Sequence, residues 1–179
     1  MAAWEPTLTE MLSVRYSALK GYAIVLCGDP SEADDLVQDA IVATFGTLRT
    51  FQNAAAAEGY VRRAIASRFV DGKRRDATKR RLLPRLASPQ TDDSAGPSLL
   101  AEHATDVARA LQTLPPRQRV CVVLRFLDQL STRETADALK ISDGAVKRYV
   151  SDAIARLAPL LDLDPDRDEP EWSETQVAR

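Results

Sequence analysis

Apolar residues recur every three to four positions through several stretches of this chain, which is the pattern of amphipathic α-helices. Residues 12–27, 31–48 and 60–71 each carry such a stripe, and few stretches alternate with the period of two that is typical of strands. The side chains expected to face inward are Leu12, Tyr16, Leu19, Ala23 and Leu26, then Leu36, Val37, Ala40, Ile41, Thr44, Phe45 and Leu48, and then Val61, Ala64, Ile65 and Phe69. The pattern predicts an all-α fold.

Residues 115–161 predict three more helices, of which the last two form a helix-turn-helix. The expected inward residues are Val120, Val123, Leu124 and Leu127, then Ala136 and Leu139, and then Val146, Val150, Ile154 and Leu157. Ser131 and Glu134 have the spacing of a capping box, a break is expected at Lys140, and Ser142 can cap the last helix. In a helix-turn-helix the first turns of the second helix enter the DNA major groove, whereas in a plain helical bundle the same charged face is only solvated.

Four segments interrupt the helical pattern. Residues 51–59 form an Ala-rich connector, and Gly28, Asp29 and Pro30 predict a turn with Ser31 as the N-cap of the next helix. Residues 82–105 contain three prolines and several small polar residues, which predict a flexible linker. Residues 162–179 form an acidic tail expected to be disordered. We therefore expect two small helical domains, at residues 8–81 and 106–161.

The net charge of −2 conceals two basic blocks. Residues 59–86 carry ten basic and two acidic side chains, and residues 115–161 carry eight and five. Polyanion binding at defined places is the simplest interpretation of this segregation. An acidic tail is most commonly just solvated. The alternative hypothesis is that it competes weakly for the basic surface, in which case deleting residues 162–179 raises DNA binding at low salt.

Composition also sets expectations for compartment and chemistry. The chain has no apolar run long enough to cross a membrane and no secretory signal at its start, so a cytoplasmic protein is expected. Cys27 and Cys121 are expected to be buried, reduced thiols, and neither a cofactor nor a metal site is expected. His103 has no partner at ligand or catalytic spacing.

The basic helix after Gly59 suits a partly single-stranded nucleic acid. Phosphates can take the charge of Arg62 and Arg63, while a base can stack on the ring of Tyr60. Asp71 is expected to pair with Arg75 at the i+4 position.

Both halves together resemble bacterial RNA polymerase sigma factors of the extracytoplasmic-function (ECF) group, in an actinobacterial-like form. The resemblance rests on residues 27–45 in the first half and on residues 114–119, 124–126, 134–136 and 144–147 in the second. It covers about residues 12–75 and 107–160, which is most of the chain. It implies a promoter-specific transcription initiation factor that is not itself an enzyme, since catalysis belongs to the polymerase. The implied partners are core RNA polymerase (clamp and flap), promoter DNA and, in many members, an anti-sigma factor, with no membrane attachment.

The resemblance also implies three sets of contact residues. Core polymerase would meet the outward face of the second helix, at Asp35, Gln38, Asp39 and Ile41. The downstream promoter element, where a flipped base would enter the 51–59 loop, would meet Gln52, Asn53, Tyr60, Arg62, Arg63, Ser67, Arg74 and Arg75. The upstream element would meet Arg133, Asp143, Gly144, Ala145, Lys147, Arg148 and Ser151. A plain solvated helix face and a plain surface loop are the alternatives for the first set and for Gln52 and Asn53.

Several residues depart from the family pattern. In the first half, Ile41 replaces Phe, Tyr60 replaces Trp and Ser67 replaces Asn. The last helix departs at four positions, where the family commonly has Thr, Ser, Arg and Arg at Ala145, Arg148, Tyr149 and Asp152. Lys140 replaces the usual turn glycine, so the turn must avoid a positive φ or accept strain. The promoter sequence therefore does not transfer from relatives.

Two other classes of protein compete with this interpretation. A self-sufficient helix-turn-helix repressor would bind duplex DNA tightly without core polymerase, and would not need the acidic face around Asp35. A nuclease would need clustered carboxylates with His, a phosphate-binding loop or a metal set, and the sequence shows none of these patterns.

Overall fold

A computed structural model describes residues 5–46, 50–82 and 106–161, and within these ranges the regular structure is helical throughout, which confirms the predicted all-α class. The predicted linker, the tail, Leu48 and His103 lie outside the described residues, apart from residue 82 at the end of a helix. The helices are α1 (Glu5–Cys27), α2 (Pro30–Phe45), α3 (Ala54–Leu82), α4 (Asp106–Gln112), α5 (Pro116–Val122), α6 (Thr132–Leu139) and α7 (Asp143–Leu161), with a π-helical turn (Val123–Leu127) after α5.

Helices α1, α2 and α3 pack against one another, and each contacts the other two. The expectation that Leu12 faces inward is wrong: Leu12 is 38% exposed, and Met11 is fully buried instead. Helix α1 packs along the stripe formed by Met11, Leu19, Tyr22 and Leu26, and Leu12 lies at the edge of that stripe. The buried stripe of α1 is therefore displaced by one residue at this point from the one that periodicity predicted.

The N-cap of helix α2 lies two residues earlier than the sequence indicated. Asp29, not Ser31, is the N-cap, and its Oδ1 accepts hydrogen bonds from the amides of Ser31 and Glu32, both at 2.8 Å. Pro30 occupies the first helical turn, where its fixed φ and missing N–H cost nothing. Gly28, at φ +80°, makes the left-handed turn between α1 and α2 that a side chain would strain.

Helix α3 absorbs most of the connector predicted at residues 51–59. It begins at Ala54, because a run of alanines favours helix and Asn53 caps it by accepting a 2.8 Å hydrogen bond from the amide of Ala56. The expected pair of Asp71 with Arg75 is also wrong. The Asp71 carboxylate lies 3.4 Å from Arg74, whereas Arg75 donates to the backbone carbonyl of Asp71.

The second half folds around α5 and α7. Val120, Val123 and Leu124 are buried as expected, but Leu127 is 54% exposed. The π-helical turn explains the difference, since the amide of Asp128 bonds the carbonyl of Val123 five residues back and the wider turn rotates Leu127 out of the stripe.

Helices α6 and α7 form the expected helix-turn-helix. The amide of Glu134 donates to Ser131 Oγ at 3.1 Å, and the Glu134 carboxylate accepts from the Ser131 amide at 2.8 Å, so the capping box is complete. Lys140 ends α6 at φ 54°, in the left-handed region, so the turn accepts strain in place of a glycine. Ser142 caps α7 by accepting from the amide of Ala145 at 3.2 Å.

The inner face of α7 differs from the expected stripe at one position. Val146, Val150 and Leu157 are buried, as predicted, whereas Ile154 is only partly buried and Ala153 takes the buried position beside it. No helix among residues 5–46, 50–82 and 106–161 has the length and apolar character needed to span a bilayer.

Candidate functional site

The outward face of α2 is acidic and open. Asp35, Gln38 and Asp39 are exposed, and the side chain of Asp39 is 74% exposed although it lies 4.0 Å from Arg68. Val42, one turn further along, is 71% exposed, an apolar side chain that the sequence reasoning did not single out. Ile41, predicted to lie in this contact surface, is only partly buried and packs against the core. An exposed apolar residue bordered by carboxylates is the arrangement that a basic protein surface can bind.

The other acidic side chains of α2 have different partners. Glu32 lies 2.8 Å from Lys73 of α3, and Asp34 lies 2.8 Å from Lys20 of α1. The hydrogen bond with Asp34 raises the pKa of Lys20. These two pairs join α2 to its neighbours, so the carboxylates of α2 divide into an inner set that holds the fold and an outer set that faces solvent.

Aromatic rings lie together where α3 begins. The rings of Phe45, Phe51 and Tyr60 form a chain with centroid distances of 5.3 Å and 5.2 Å. Tyr60 is 41% exposed, and the guanidinium of Arg63 lies 4.7 Å from its ring centroid. An exposed ring beside a cation is a platform on which a base can stack. Gln52 and Asn53 are exposed just before it, although the Asn53 carbonyl oxygen caps α3.

Arg62 has a different environment from the one the sequence suggested. Its guanidinium donates to Glu58 at 2.8 Å and to Asp128 of the second half at 3.1 Å. Burial acts to lower the pKa of Arg62, but the hydrogen bonds with Asp128 and Glu58 outweigh burial and raise it. No local sequence pattern predicts this contact, because Arg62 and Asp128 are 66 positions apart.

The remaining basic face of α3 lies opposite the second half. Tyr60, Arg63 and Ser67 line a groove of about 330 Å³ whose other wall includes Ala138 of α6. A second groove of about 200 Å³ lies further along α3, where Ser67, Val70, Asp71 and Arg74 face Arg117, Val120, Cys121, Leu139, Lys140 and Ile141. Arg75 is exposed beyond these grooves.

The predicted reading face of α7 is open to solvent. Its exposed residues are Asp143, Gly144, Lys147, Arg148 and Ser151, and Arg133 is exposed on α6, whereas Ala145 is partly buried. Tyr149, between them, accepts a 3.3 Å hydrogen bond from Arg117, and its ring centroid lies 5.5 Å from the guanidinium of Arg148. The hydrogen bond from Arg117 lowers the pKa of Tyr149. Arg117 is therefore a residue that supports the reading face and that the sequence reasoning missed.

Comparison with known proteins matches two family models in order along the chain. Residues 12–79 match Sigma-70 region 2, and residues 104–157 match Sigma-70, region 4. The chain is 35% identical over 160 residues to the RNA polymerase sigma-E factor of Streptomyces coelicolor, covering 87% of this chain and 88% of that protein. It is 32% identical over 130 residues to the ECF RNA polymerase sigma factor SigM of Mycobacterium tuberculosis, covering 73% and 64%.

A solved structure has a similar fold. The sigma factor RpoE from Bartonella quintana, crystallised with the anti-sigma factor NepR, has a TM-score of 0.60 and 23% identity, covering 87% of this chain and 97% of that one. At this identity the likeness shows the fold. Together with the two matched regions and the Streptomyces relative, it leads to one conclusion: the chain belongs to the ECF RNA polymerase sigma factors, which bind core RNA polymerase and direct transcription initiation at promoters.

Proposed function

We propose that this sigma factor docks on core RNA polymerase through the outer acidic face of α2, made of Asp35, Gln38 and Asp39 with Ile41 beside it. Residues 8–81 would bind the polymerase clamp and hold the melted downstream element, and residues 106–161 would bind the flap and read the upstream element. Residues 82–105 would connect the two, followed by a tail at 162–179. In this proposal the protein recognises the promoter and binds the melted strand, and catalysis belongs to the polymerase. It acts in the cytoplasm, where the DNA and the polymerase are.

The observation that carries this proposal is the division of the α2 carboxylates. Glu32 and Asp34 are paired within the fold, whereas Asp35 and Asp39 are exposed with Val42 beside them. Charged residues at the edge of an interface speed the association of two proteins and fix their relative orientation. An apolar residue that becomes buried between them contributes to the binding affinity.

Co-purification with core RNA polymerase tests the docking face. We expect Asp35→Arg/Gln38→Ala to weaken core binding at least about tenfold, since reversing one interfacial charge and truncating its neighbour costs more than about 1.4 kcal/mol. The matched control is Glu10→Arg/Thr9→Ala, which likewise reverses one carboxylate and truncates one polar side chain at exposed positions of α1, and it should bind like the native chain. Equal binding by both variants would refute the assignment of this face. Failure of the native chain to bind core, with retention of duplex DNA binding, would favour a self-sufficient repressor.

For the upstream element we propose contacts from Arg133, Asp143, Gly144, Ala145, Lys147, Arg148 and Ser151. Exposed cations at Lys147 and Arg148 and the support of Arg148 by Tyr149 favour this role. We expect Lys147→Ala to reduce the salt dependence of holoenzyme binding to promoter DNA by about one phosphate contact. An unchanged salt slope would remove Lys147 from the set.

For the downstream element we propose contacts from Gln52, Asn53, Tyr60, Arg62, Arg63, Ser67, Arg74 and Arg75. The exposed ring of Tyr60 beside Arg63 favours base stacking, and Tyr60→Ala should impair promoter opening more than duplex binding. An anti-sigma factor is proposed as a further partner, because the structurally similar RpoE was crystallised with one.

A further inference from the structure

We infer that Asp128 latches the two halves of this sigma factor in a closed state, in which α6 covers the strand-binding face of α3 while the reading face of α7 stays open. The inference rests on the proposed function for the identity of those two faces, but the latch itself is a feature of the fold.

The latch consists of three side chains from both halves. Asp128, just after the π-helical turn, accepts a 2.8 Å hydrogen bond from the Tyr22 hydroxyl of α1 and a 3.1 Å hydrogen bond from the Arg62 guanidinium of α3. The Asp128 side chain is only 9% exposed, and the Arg62 guanidinium lies 5.0 Å from the centroid of the Tyr22 ring. Glu58 holds the other side of Arg62. Both oxygens of the carboxylate are therefore used to join the halves.

The closed arrangement covers the predicted strand-binding face of α3. Ala138 of α6 faces Tyr60, Arg63 and Ser67 across the 330 Å³ groove, so one wall of the groove at this face belongs to the second half. Arg62, a predicted strand contact, is already paired with two carboxylates. The pKa of Glu134 in α6 is lowered mainly by its hydrogen bonds with Ser131, and the positive charge of Arg63 lowers it further. Strand binding and the closed state thus compete for the same residues.

The other two functional faces do not share this restriction. Lys147 and Arg148 of α7 are exposed, and so are Asp35 and Gln38 of α2. The closed chain can therefore meet core polymerase and duplex DNA, but it must open before α3 can take a melted strand. Binding through a minor open state lowers apparent affinity by the open fraction.

Two substitutions test the latch in the full-length protein. Asp128→Asn removes the charge that Arg62 pairs with, and Tyr22→Phe removes one hydrogen bond without a change of charge or ring packing. The matched control is Asp106→Asn, which removes the same charge from an exposed pair with Arg109 in the same half. Far-UV circular dichroism establishes that each variant remains folded.

Two measurements are made on each variant: the radius of gyration by small-angle X-ray scattering, and the binding of a fluorescent oligo(dT) strand of about a dozen nucleotides at low salt. We expect both latch variants to expand, and Asp128→Asn to bind the strand about fivefold more tightly than Asp106→Asn, with Tyr22→Phe changing in the same direction by less.

The possible results separate the latch from the proposed function. Latch variants as compact as the control would overturn the latch, and expanded variants with unchanged oligo(dT) binding would overturn the covering of α3. Expansion and tighter strand binding together support the inference. If the latch variants expand but the native protein does not bind core polymerase, the proposed function is refuted and the latch is still supported.

Discussion

Arg119 is the buried residue whose replacement should destabilise this protein most clearly. It is 8% exposed, and burial lowers the pKa of its guanidinium to about 10, so it stays charged at neutral pH. The guanidinium donates to the backbone carbonyl of Leu26 at the end of α1, to the Gln112 carbonyl at 2.9 Å and to the Leu114 carbonyl at 3.1 Å. It also lies 5.8 Å from the ring centroid of Phe69 in α3. One side chain thus ties α5 to both α1 and the turn after α4.

The magnitude follows from the acceptors that Arg119→Met would leave behind. Methionine fills much of the volume of the arginine stem but donates no hydrogen bond. Three backbone carbonyls lose a charged donor, and a buried acceptor left without a partner costs about 1–3 kcal/mol. Taking the lower end, because the loosened interface admits water, we expect a loss of about 3 kcal/mol in the free energy of unfolding. For a chain of this size that corresponds to a fall of about 6–12 °C in melting temperature.

Thermal unfolding followed by far-UV circular dichroism measures this effect. Arg119→Lys, whose ammonium can still reach one or two of the carbonyls, should fall between the native protein and Arg119→Met. Arg109→Met is the matched control, since Arg109 is exposed and, within the part of the chain that the structure describes, pairs with Asp106 at i−3. This variant should stay within about 0.5 kcal/mol of the native protein. Equal melting temperatures for Arg119→Met and Arg109→Met would refute the claim that Arg119 secures this junction.

Two further predictions concern the helix-turn-helix. Lys140→Gly should stabilise the protein by about 0.5–1 kcal/mol, because glycine removes the strain of the left-handed φ of 54° and this gain exceeds the added conformational entropy of the unfolded chain. Lys140→Ala keeps the strain and should not stabilise the protein. Equal urea unfolding midpoints for the two variants would contradict this prediction. Hydrogen bonds from the hydroxyl and amide of Ser131 lower the pKa of Glu134 from its ordinary value of 4.5, so this carboxylate contributes stability that is full above pH 4.5 and is lost as the pH falls through its folded pKa. The stability difference between the native protein and Glu134→Gln, measured by urea unfolding across this range, should therefore shrink on acidification, and a difference that stays constant with pH would contradict it.

The sequence by itself determined the helices and most of their faces. Helical periodicity correctly predicted buried positions such as Val37, Ile65 and Val146 and the exposure of Asp35 and Arg148, because a solvated helix face and a packed one differ in polarity at fixed spacing. The capping box of Ser131 and Glu134 was equally predictable, since both partners lie within one turn. The all-α class followed from the same local patterns in both halves, and the family from the resemblance of the motifs in both halves to sigma factors.

The exact N-cap of a helix and the exact residues on its buried face were decided only by the tertiary structure. Asp29 caps α2 in place of Ser31, and a π-helical turn rotates Leu127 into solvent. Each difference is a local shift in backbone position of one or two residues. Hydrophobic periodicity cannot resolve such a shift, because adjacent positions carry side chains of similar polarity.

The contacts between the halves could be found only from the tertiary structure. Asp128 meets Tyr22 and Arg62, and Arg119 meets Leu26, across separations of 66 to 106 positions in the chain. No local pattern predicts these contacts, since a carboxylate in a turn and an arginine in a helix are by sequence expected to face solvent. Their contacts arise only when packed helices exclude water from both partners, because a buried charged group must then find a hydrogen-bonding partner within the protein.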